Sequence, residues 1–288
     1  MNDYVVKEDV SLKDLNTYKI GGKASYFVKP KSINALIKLI DDLKKKNIPY
    51  YILGKGSNVI LPDEDYQGVI INLSLLKTFE VTDNLIYAES GLSLNEFITS
   101  LIDKSFPSYY ELYGIPGSLG GAVVCNAGAG NTDIYKYLKA VIILEDGIIK
   151  TISKENINYS YRHTEFKESN KIIIGAIFQM EKGNVDGLWD KIKESLKVRS
   201  EKQPLNFPNA GSVFQNPEGT SAGKLIDECG LKGLKENGAM ISLKHANFIV
   251  NWKDAQSSDI INLVEKIKKE VKKQKNIDLN LEQIIVKW

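Results

Sequence analysis

An α+β protein of two domains is what this sequence predicts, on three observations. The chain has 288 residues, and at roughly 150 residues per domain that length accommodates two. Helix-spaced and strand-like apolar patterns are interspersed from one end to the other. A stretch rich in Pro, Asn and Gly, Arg199 to Gly219, interrupts both patterns and marks a boundary near its start. At 43% hydrophobic and 26% charged residues, the composition is that of a soluble globular chain able to bury a sizeable core.

The elements follow in order. The first 30 residues read as short strands and turns, with Gly21-Gly22 marking a tight turn between β-prone runs. Ser32 caps a helix in which Ile33, Leu36, Ile37, Ile40 and Leu43 share a face. Lys44, Lys45 and Lys46 suit the negative end of its dipole. Tyr50 to Leu53 reads as a buried strand, and Gly68 to Gly91 as short strands. Leu92 to Asp103 is a second helix, followed by a long glycine-rich segment, Gly114 to Gly130. Strands are expected at Val141 to Leu144, Ile148 to Ile152 and Lys171 to Met180. Leu188, Trp189, Ile192 and Leu196 lie on one face of a further helix. Beyond the boundary come a short helix at Ala222 to Glu228, strands near Ala239 to Ser242 and Ala246 to Asn251, a helix from about Ser257 to Lys273, and a terminal strand near Leu279 to Val286. The long helix reads as a surface element with a solvated lysine face rather than a membrane-surface one.

Composition excludes several function classes. Lys plus Arg number 38 and Asp plus Glu 36, a net charge of +2, which argues against nucleic acid as a partner. The longest uncharged apolar run, Ile172 to Phe178, is far short of the ~20 residues that cross a bilayer. The N-terminal residues carry acidic side chains and no apolar core of a signal peptide, so the expected compartment is the cytoplasm. Cys125 and Cys229 stand alone, with His163 and His245 not spaced as a metal pair. No disulfide framework and no metal site is expected. No serine sits in a G-x-S-x-G elbow.

Two glycine-rich loops carry the chemistry. The first is Gly54-Lys55-Gly56-Ser57-Asn58, directly after a strand; the second runs from Gly114 through Gly117, Ser118, Gly120 and Gly121 to Asn126 and Gly128. Glycines let a backbone approach a phosphate closely, and Ser and Asn add neutral donors. Neither the dinucleotide fingerprint nor a P-loop is present. The residues alone point to a diphosphate-containing ligand bound on loops of an α+β domain.

The segments NTYKIGG, ILGKGSNVIL, GIPGSLGGAVVCNAGA, YSYRHTEFK, RSEKQP, NAGSVFQNPEG and AGKLIDECGLKG occur in that order between Asn16 and Gly233. Over about Asn16 to Glu282 the chain resembles the UDP-N-acetylenolpyruvoylglucosamine reductases, in the shorter of their two types. The resemblance implies an FAD-binding domain of the vanillyl-alcohol-oxidase type over residues 1–198, in subdomains of about 1–72 and 73–198, and a substrate domain over 199–288. It implies non-covalent FAD, NADPH as co-substrate, a UDP-sugar substrate, and no obligate protein partner. Matched motif by motif, Gly54, Gly56, Ser57, Asn58, Gly117, Ser118, Gly121 and Ala122 hold the flavin. Arg162, Ser212 and Glu282 fall on catalytic positions, and Arg199, Lys202 and Asn216 on positions that hold the sugar nucleotide. The chain departs from the pattern in places. No glycine follows the final strand, Gly130 stands where an aromatic residue is usual, and Thr164 replaces a commoner serine. A second register of IDLNLEQIIVKW would put Ile284 at the catalytic position in place of Glu282.

The residue types suit the implied reaction. Hydride added to the enolpyruvyl terminal carbon throws negative charge toward the neighbouring carboxylate. Cations such as Arg162 and Lys202 stabilise that charge, and Ser212 on a glycine-flanked turn can deliver the proton. Two other readings stand beside this one: a flavin oxidase with the same cofactor fold, and a non-catalytic nucleotide-binding protein. Taken without the motif, Arg162 reads as an ion-pair partner of Glu165 or Glu168, and Cys125 as a small packed residue.

Overall fold

The computed structural model describes residues 3–288 and forms two compact units, neither of them contiguous in sequence. Unit 1 takes the N-terminal residues through Glu8, Tyr26–Lys55 and Gly68–Leu196; unit 2 takes Asp9–Ser25, Gly56–Gln67 and Lys197–Trp288. This interleaving differs from the contiguous division expected at residue 198. The reason lies in burial: Tyr18, Ile20 and Ile60 share one apolar core with Val213, Phe214 and the C-terminal helix.

Unit 1 holds most of a four-stranded sheet, ordered Tyr4–Ser11, Lys23–Pro30, Tyr66–Ile71, Tyr50–Ile52. Helix α1 (Ile33–Lys45) packs on it through Leu36, Ile40 and Leu43, and the Ser32 hydroxyl caps it by accepting from the Ala35 N–H. A second, antiparallel sheet has the order Ile148–Ser153, Leu138–Glu145, Ile172–Gln179, Leu85–Glu89, Phe79–Thr82. Its last two strands fall within the Gly68 to Gly91 stretch expected to hold short strands. Helix α2 (Leu94–Asp103) covers the core with Phe97, Ile98 and Leu101 and starts in a Ser93/Glu96 capping box.

The glycine-rich segment expected to be loop contains helix α3 (Leu119–Cys125). Two glycines disfavour helix intrinsically, but tertiary packing requires one of them. A Cβ on Gly120 would stand 2.7 Å from Ser90 Cβ. Helix α4 (Leu188–Lys202) buries Leu188 and Ile192, whereas Trp189 and Leu196 from the expected face are 39% and 36% exposed. It also runs through the expected boundary, so Arg199 and Lys202 ride on its last turn.

Unit 2 has a three-stranded antiparallel sheet, Lys235–Glu236, Ala239–Ile241 and Ile249–Asn251. The strand expected from Ala246 starts only at Ile249, because His245 to Phe248 form a turn closed by Phe248 N–H on the His245 carbonyl. Helix α5 (Ala222–Glu228) is short, and α6 (Ser257–Lys275) buries all five expected residues, Ile260, Leu263, Val264, Ile267 and Val271. The expected terminal strand shrinks to Ile284–Ile285, which pairs in parallel with Val59–Ile60. Gly21-Gly22 is a close approach rather than a tight turn: a Cβ on Gly22 would lie 2.5 Å from the Asp63 carbonyl oxygen.

Asp63 anchors α6 from outside the helix. Its carboxylate accepts from Ser257 N–H (2.8 Å), Ser257 hydroxyl (2.7 Å) and Ser258 N–H (3.2 Å). Burial pushes the carboxyl pKa up, but these hydrogen bonds outweigh it and hold the group below its ordinary value. A depressed folded pKa gives stability that is present above the unfolded value, near pH 4, and is lost as pH falls. Asp63→Ala should therefore cost about 1 kcal/mol at pH 7, and thermal melts from pH 7 to 3 should show the gap to the parent closing as the pH falls.

Candidate active-site residues in the two units

In unit 1 the two glycine-rich loops abut. A Cβ on Gly54 would stand 2.7 Å from Ser118 Oγ, and one on Gly121 3.3 Å from the same atom. The Ser118 hydroxyl caps α3 by accepting from Gly121 N–H at 3.2 Å. The Gly117 carbonyl accepts from Leu94 N–H, which ties this loop to the start of α2. Ala122 lies deeper than the sequence suggests, in the core, with its N–H on the Ser118 carbonyl. Two buried oxygens near the ends of α3 have no hydrogen-bond partner, Ser90 Oγ and Asn126 Oδ1. Polar atoms buried without a partner are costly. A side-chain-free cradle, neutral donors, and a hydroxyl and an amide oxygen left without partners fit a large polar ligand such as FAD.

Arg162 is anchored at the other end of the same helix. Its guanidinium donates to the Asn126 carbonyl (3.1 Å) and to the Gly128 carbonyl. A Cβ on Gly128 would come within 2.6 Å of Arg162 Nη1, so only glycine admits this arrangement. The Arg162 backbone is left-handed at φ +56°, its carbonyl accepts from Lys167 Nζ, and its guanidinium stands 5.0 Å from the Tyr161 ring centre. A non-glycine residue held in that region is a feature of constrained sites. Glu165, which with Glu168 was one of two expected ion-pair partners, accepts from Lys171 Nζ at 3.0 Å. Cys125 is half-buried, and the nearby Tyr51 hydroxyl is pushed up to about 12, by burial first and by Cys125 second.

Unit 2 brings the rest of the first loop, the Ser212 turn and Glu282 together. Gly56, at φ +62°, packs its backbone on Leu15 and Asn16, where a Cβ would meet the Leu15 carbonyl oxygen at 2.3 Å. Asn58 brackets the C-terminal segment: its Nδ2 donates to the Glu282 carbonyl (3.3 Å), and its carbonyl accepts from Ile284 N–H (3.0 Å). Glu282 N–H donates to the Val213 carbonyl (2.8 Å), one residue past Ser212. Ser212 and Glu282 are both half-buried. Ile284, the alternative catalytic position, pairs through its backbone with Val59.

Arg199 is half-buried, and that burial lowers its pKa; an arginine nevertheless stays cationic at neutral pH. Lys202 is exposed three residues on. Asn216 accepts from Ala222 N–H at the start of α5 (3.1 Å). Close in sequence to Lys202, a groove of about 650 Å³ is lined by Pro204, Leu205, Phe207, Leu243 and Lys244 among others. Sequence reasoning missed that groove, and it missed two buried amides, Asn247 and Gln283, that grip the Ser212 turn.

The two loop glycines make different predictions. Gly54→Ala forces Ser118 off its cap, so flavin affinity of the apoprotein should fall at least tenfold while the melt shifts by no more than about 2 kcal/mol. Flavin fluorescence quenching and thermal melts measure the two effects. Gly56→Val should instead unfold unit 2 with or without flavin, because the backbone angle and the Leu15 contact forbid a side chain.

Comparison with known proteins accounts for both loops and both units. Residues 24–153 match the FAD binding domain family, and residues 203–286 match the C-terminal domain of UDP-N-acetylenolpyruvoylglucosamine reductase. The chain is 37% identical over 282 residues to the UDP-N-acetylenolpyruvoylglucosamine reductase of Clostridium novyi, covering 98% of this chain and 92% of that one. With the reductase of Clostridium botulinum (strain Alaska E43) it is 39% identical over 285 residues, 99% of this chain and 94% of that one. Among solved structures, UDP-N-acetylenolpyruvylglucosamine reductase from Thermus caldophilus superposes with a TM-score of 0.83 at 29% identity, over 99% of this chain and all of that one. The chain therefore belongs to the UDP-N-acetylenolpyruvoylglucosamine reductase family of FAD-dependent oxidoreductases.

Proposed function

We propose that Arg162, Ser212 and Glu282 carry the chemistry of this NADPH-dependent flavoenzyme, which reduces UDP-N-acetylglucosamine enolpyruvate to UDP-N-acetylmuramate in peptidoglycan precursor synthesis. The observation that supports this most is the pinning of Glu282 N–H to the Val213 carbonyl, which sets a carboxylate-bearing residue beside the serine turn. Gly54, Gly56, Ser57, Asn58, Gly117, Ser118, Gly121 and Ala122 form the loops that hold the cofactor. Held on these loops, FAD would supply the hydride chemistry that links NADPH to the terminal carbon of the enolpyruvyl double bond. The loops contain no histidine and Cys125 is half-buried at the end of α3, which supports non-covalent attachment; acid precipitation should release all flavin from the polypeptide.

The chain's own residues complete the reduction. Negative charge accumulates on the carbon bearing the carboxylate and spreads into that carboxylate. The Arg162 guanidinium, fixed by two carbonyl oxygens, is preorganised to stabilise that charge without reorienting. Arg199 and Lys202 hold the anionic parts of the substrate, and partial desolvation of Arg199 strengthens its attraction for an anion. With the Asn216 oxygen engaged by α5, its amide N–H groups are the ones to meet substrate. Ser212 Oγ–H gives its proton to the substrate carbon, so that one hydride and one proton saturate the double bond. Glu282 orients substrate or water at the same carbon. NADPH and UDP sugars are cytoplasmic metabolites, which is why we place the reaction in the cytoplasm.

Ser212→Ala separates the two halves of the reaction. Stopped-flow absorbance should show flavin bleaching by NADPH within twofold of the parent, and reoxidation by the enolpyruvyl substrate slowed by about 10²-fold or more. Slowed bleaching with normal reoxidation would reverse the assignment. Glu282→Gln should cut turnover by roughly two orders of magnitude; turnover near the parental rate would make Glu282 a structural residue.

A further inference from the structure

Gln283 follows Glu282 and is 3% exposed. Its Nε2 donates to the Ala210 carbonyl (3.1 Å) and to the Gly211 carbonyl (3.2 Å), the two residues before Ser212. Its Oε1 accepts from the Tyr18 hydroxyl (3.0 Å), and Tyr18 is fully buried. The orientation of this amide is determined by chemistry. Carbonyl oxygens only accept, so both amide hydrogens must face Ala210 and Gly211, and the oxygen is left for Tyr18. Burial raises the Tyr18 pKa, so the hydroxyl remains a donor at every working pH. Tyr18 is fixed in turn by Asn251 Nδ2 on its carbonyl (2.9 Å).

The far side of the turn is held the same way. Asn247, also 3% exposed, exchanges two hydrogen bonds with the Phe214 backbone: Oδ1 accepts from its N–H (3.0 Å) and Nδ2 donates to its carbonyl (2.8 Å). Gly211 itself has φ +77° and nothing within 4 Å of its Cβ position. The turn is therefore conformationally loose at Gly211 and is held by these hydrogen bonds together with the burial of Ala210, Val213 and Phe214 on either side. An apolar residue at 283 would fill the same space and leave two carbonyls and a hydroxyl buried without partners.

We infer that Gln283 is a positioning residue for catalysis: through its side-chain amide it locks the Ala210-Gly211-Ser212 turn to the segment bearing Glu282, and so sets the distance between the serine hydroxyl and the substrate carbon. This rests on the reading of Ser212 as proton donor. A misplacement of about 1 Å at such a group costs on the order of 10²-fold in rate.

The test uses the flavin-loaded enzyme and three variants. Gln283→Met keeps the volume and removes the amide. It should retain FAD, bleach with NADPH within twofold of the parent, and reoxidise with enolpyruvyl substrate at least tenfold more slowly, with KM for that substrate within threefold. Amide hydrogen exchange, which needs no turnover, should accelerate at least tenfold at residues 211–214. Gln283→Glu adds a pH signature. A protonated carboxyl can still donate to one carbonyl, whereas the ionised form repels both, so reoxidation should be retained at low pH and lost as pH rises through the carboxyl pKa. The parent should lack that limb. Where Gln283→Met does not accumulate as folded holoenzyme, Tyr18→Phe, which frees the amide to rotate, should show the same selective loss in weaker form. Parental reoxidation in Gln283→Met, or equal slowing of both half-reactions, overturns the inference. Ser212→Ala run alongside keeps the two readings apart. If it reoxidises normally, the donor assignment has failed, and the exchange data still report whether Gln283 fixes the turn. If it is slow while Gln283→Met is normal in rate and exchange, only the present inference has failed.

Discussion

The backbone of Val213 is the constraint on which unit 2 depends. Its N–H is taken by the Asn247 carbonyl and its own carbonyl by Glu282 N–H. Around that residue, Phe214 bridges Leu281, and Gln215 N–H donates to the Asn280 carbonyl. The segment behaves as the centre of a three-stranded arrangement whose outer members are a turn and a chain terminus. Neither of those could hold it by regular strand pairing, so side-chain amides complete the ladder. Each such bond contributes only ~0.5–1.5 kcal/mol net, but leaving one of these buried groups unpaired costs ~1–3 kcal/mol. The penalty for error, more than the gain, makes one conformation of the serine turn dominate.

Unit 1 solves a similar problem with a helix of seven residues. The start of α3 carries the Ser118 cap beside Gly54, and its end offers the carbonyls around Asn126 that hold Arg162. A short helix with two glycines has little stability of its own. Here Leu119, Ala122 and Val123 bury in the core, and the Thr164 hydroxyl donates to the Val124 carbonyl at 2.6 Å. One rigid element thus sets the spacing between the second glycine-rich loop and the guanidinium.

Much of this was legible in the sequence, for identifiable reasons. The helices beginning at Ile33 and Ser257 show their apolar period, and Ser32 shows the cap of the first, which are local signals. The glycine-rich loops, Arg162 and Ser212 were singled out because their segments match long motifs, whereas Glu282 lies in a terminal segment whose register the sequence left open. Helix α3 was not legible, since glycine propensity argues against it and only Ser90 and the core explain it. The interleaving of the units was not legible either, because it follows from which core Tyr18 and Ile60 enter. Gln283 and Asn247 were missed for a related reason. A side-chain amide that substitutes for a backbone partner leaves no periodic trace, and Gln283 sits in a segment that reads as a strand.

Asn58 shows how closely cofactor loop and carboxylate are joined within unit 2. Sequence reading gives it to the flavin, yet its side chain donates to the Glu282 carbonyl and its carbonyl accepts from Ile284 N–H. Those two bonds embrace the residue that carries the carboxylate. Any shift of the Gly56-Ser57-Asn58 backbone moves Glu282 with it, and the Val213 bond carries that shift to the serine turn. Gly56 cannot absorb such a movement, because its backbone is already wedged on Leu15 and Asn16. The loop proposed to cradle the cofactor is therefore also the abutment for the segment that carries Glu282. On the proposed assignment, a substitution there shifts the serine turn as well as flavin affinity, and the two effects have to be measured separately.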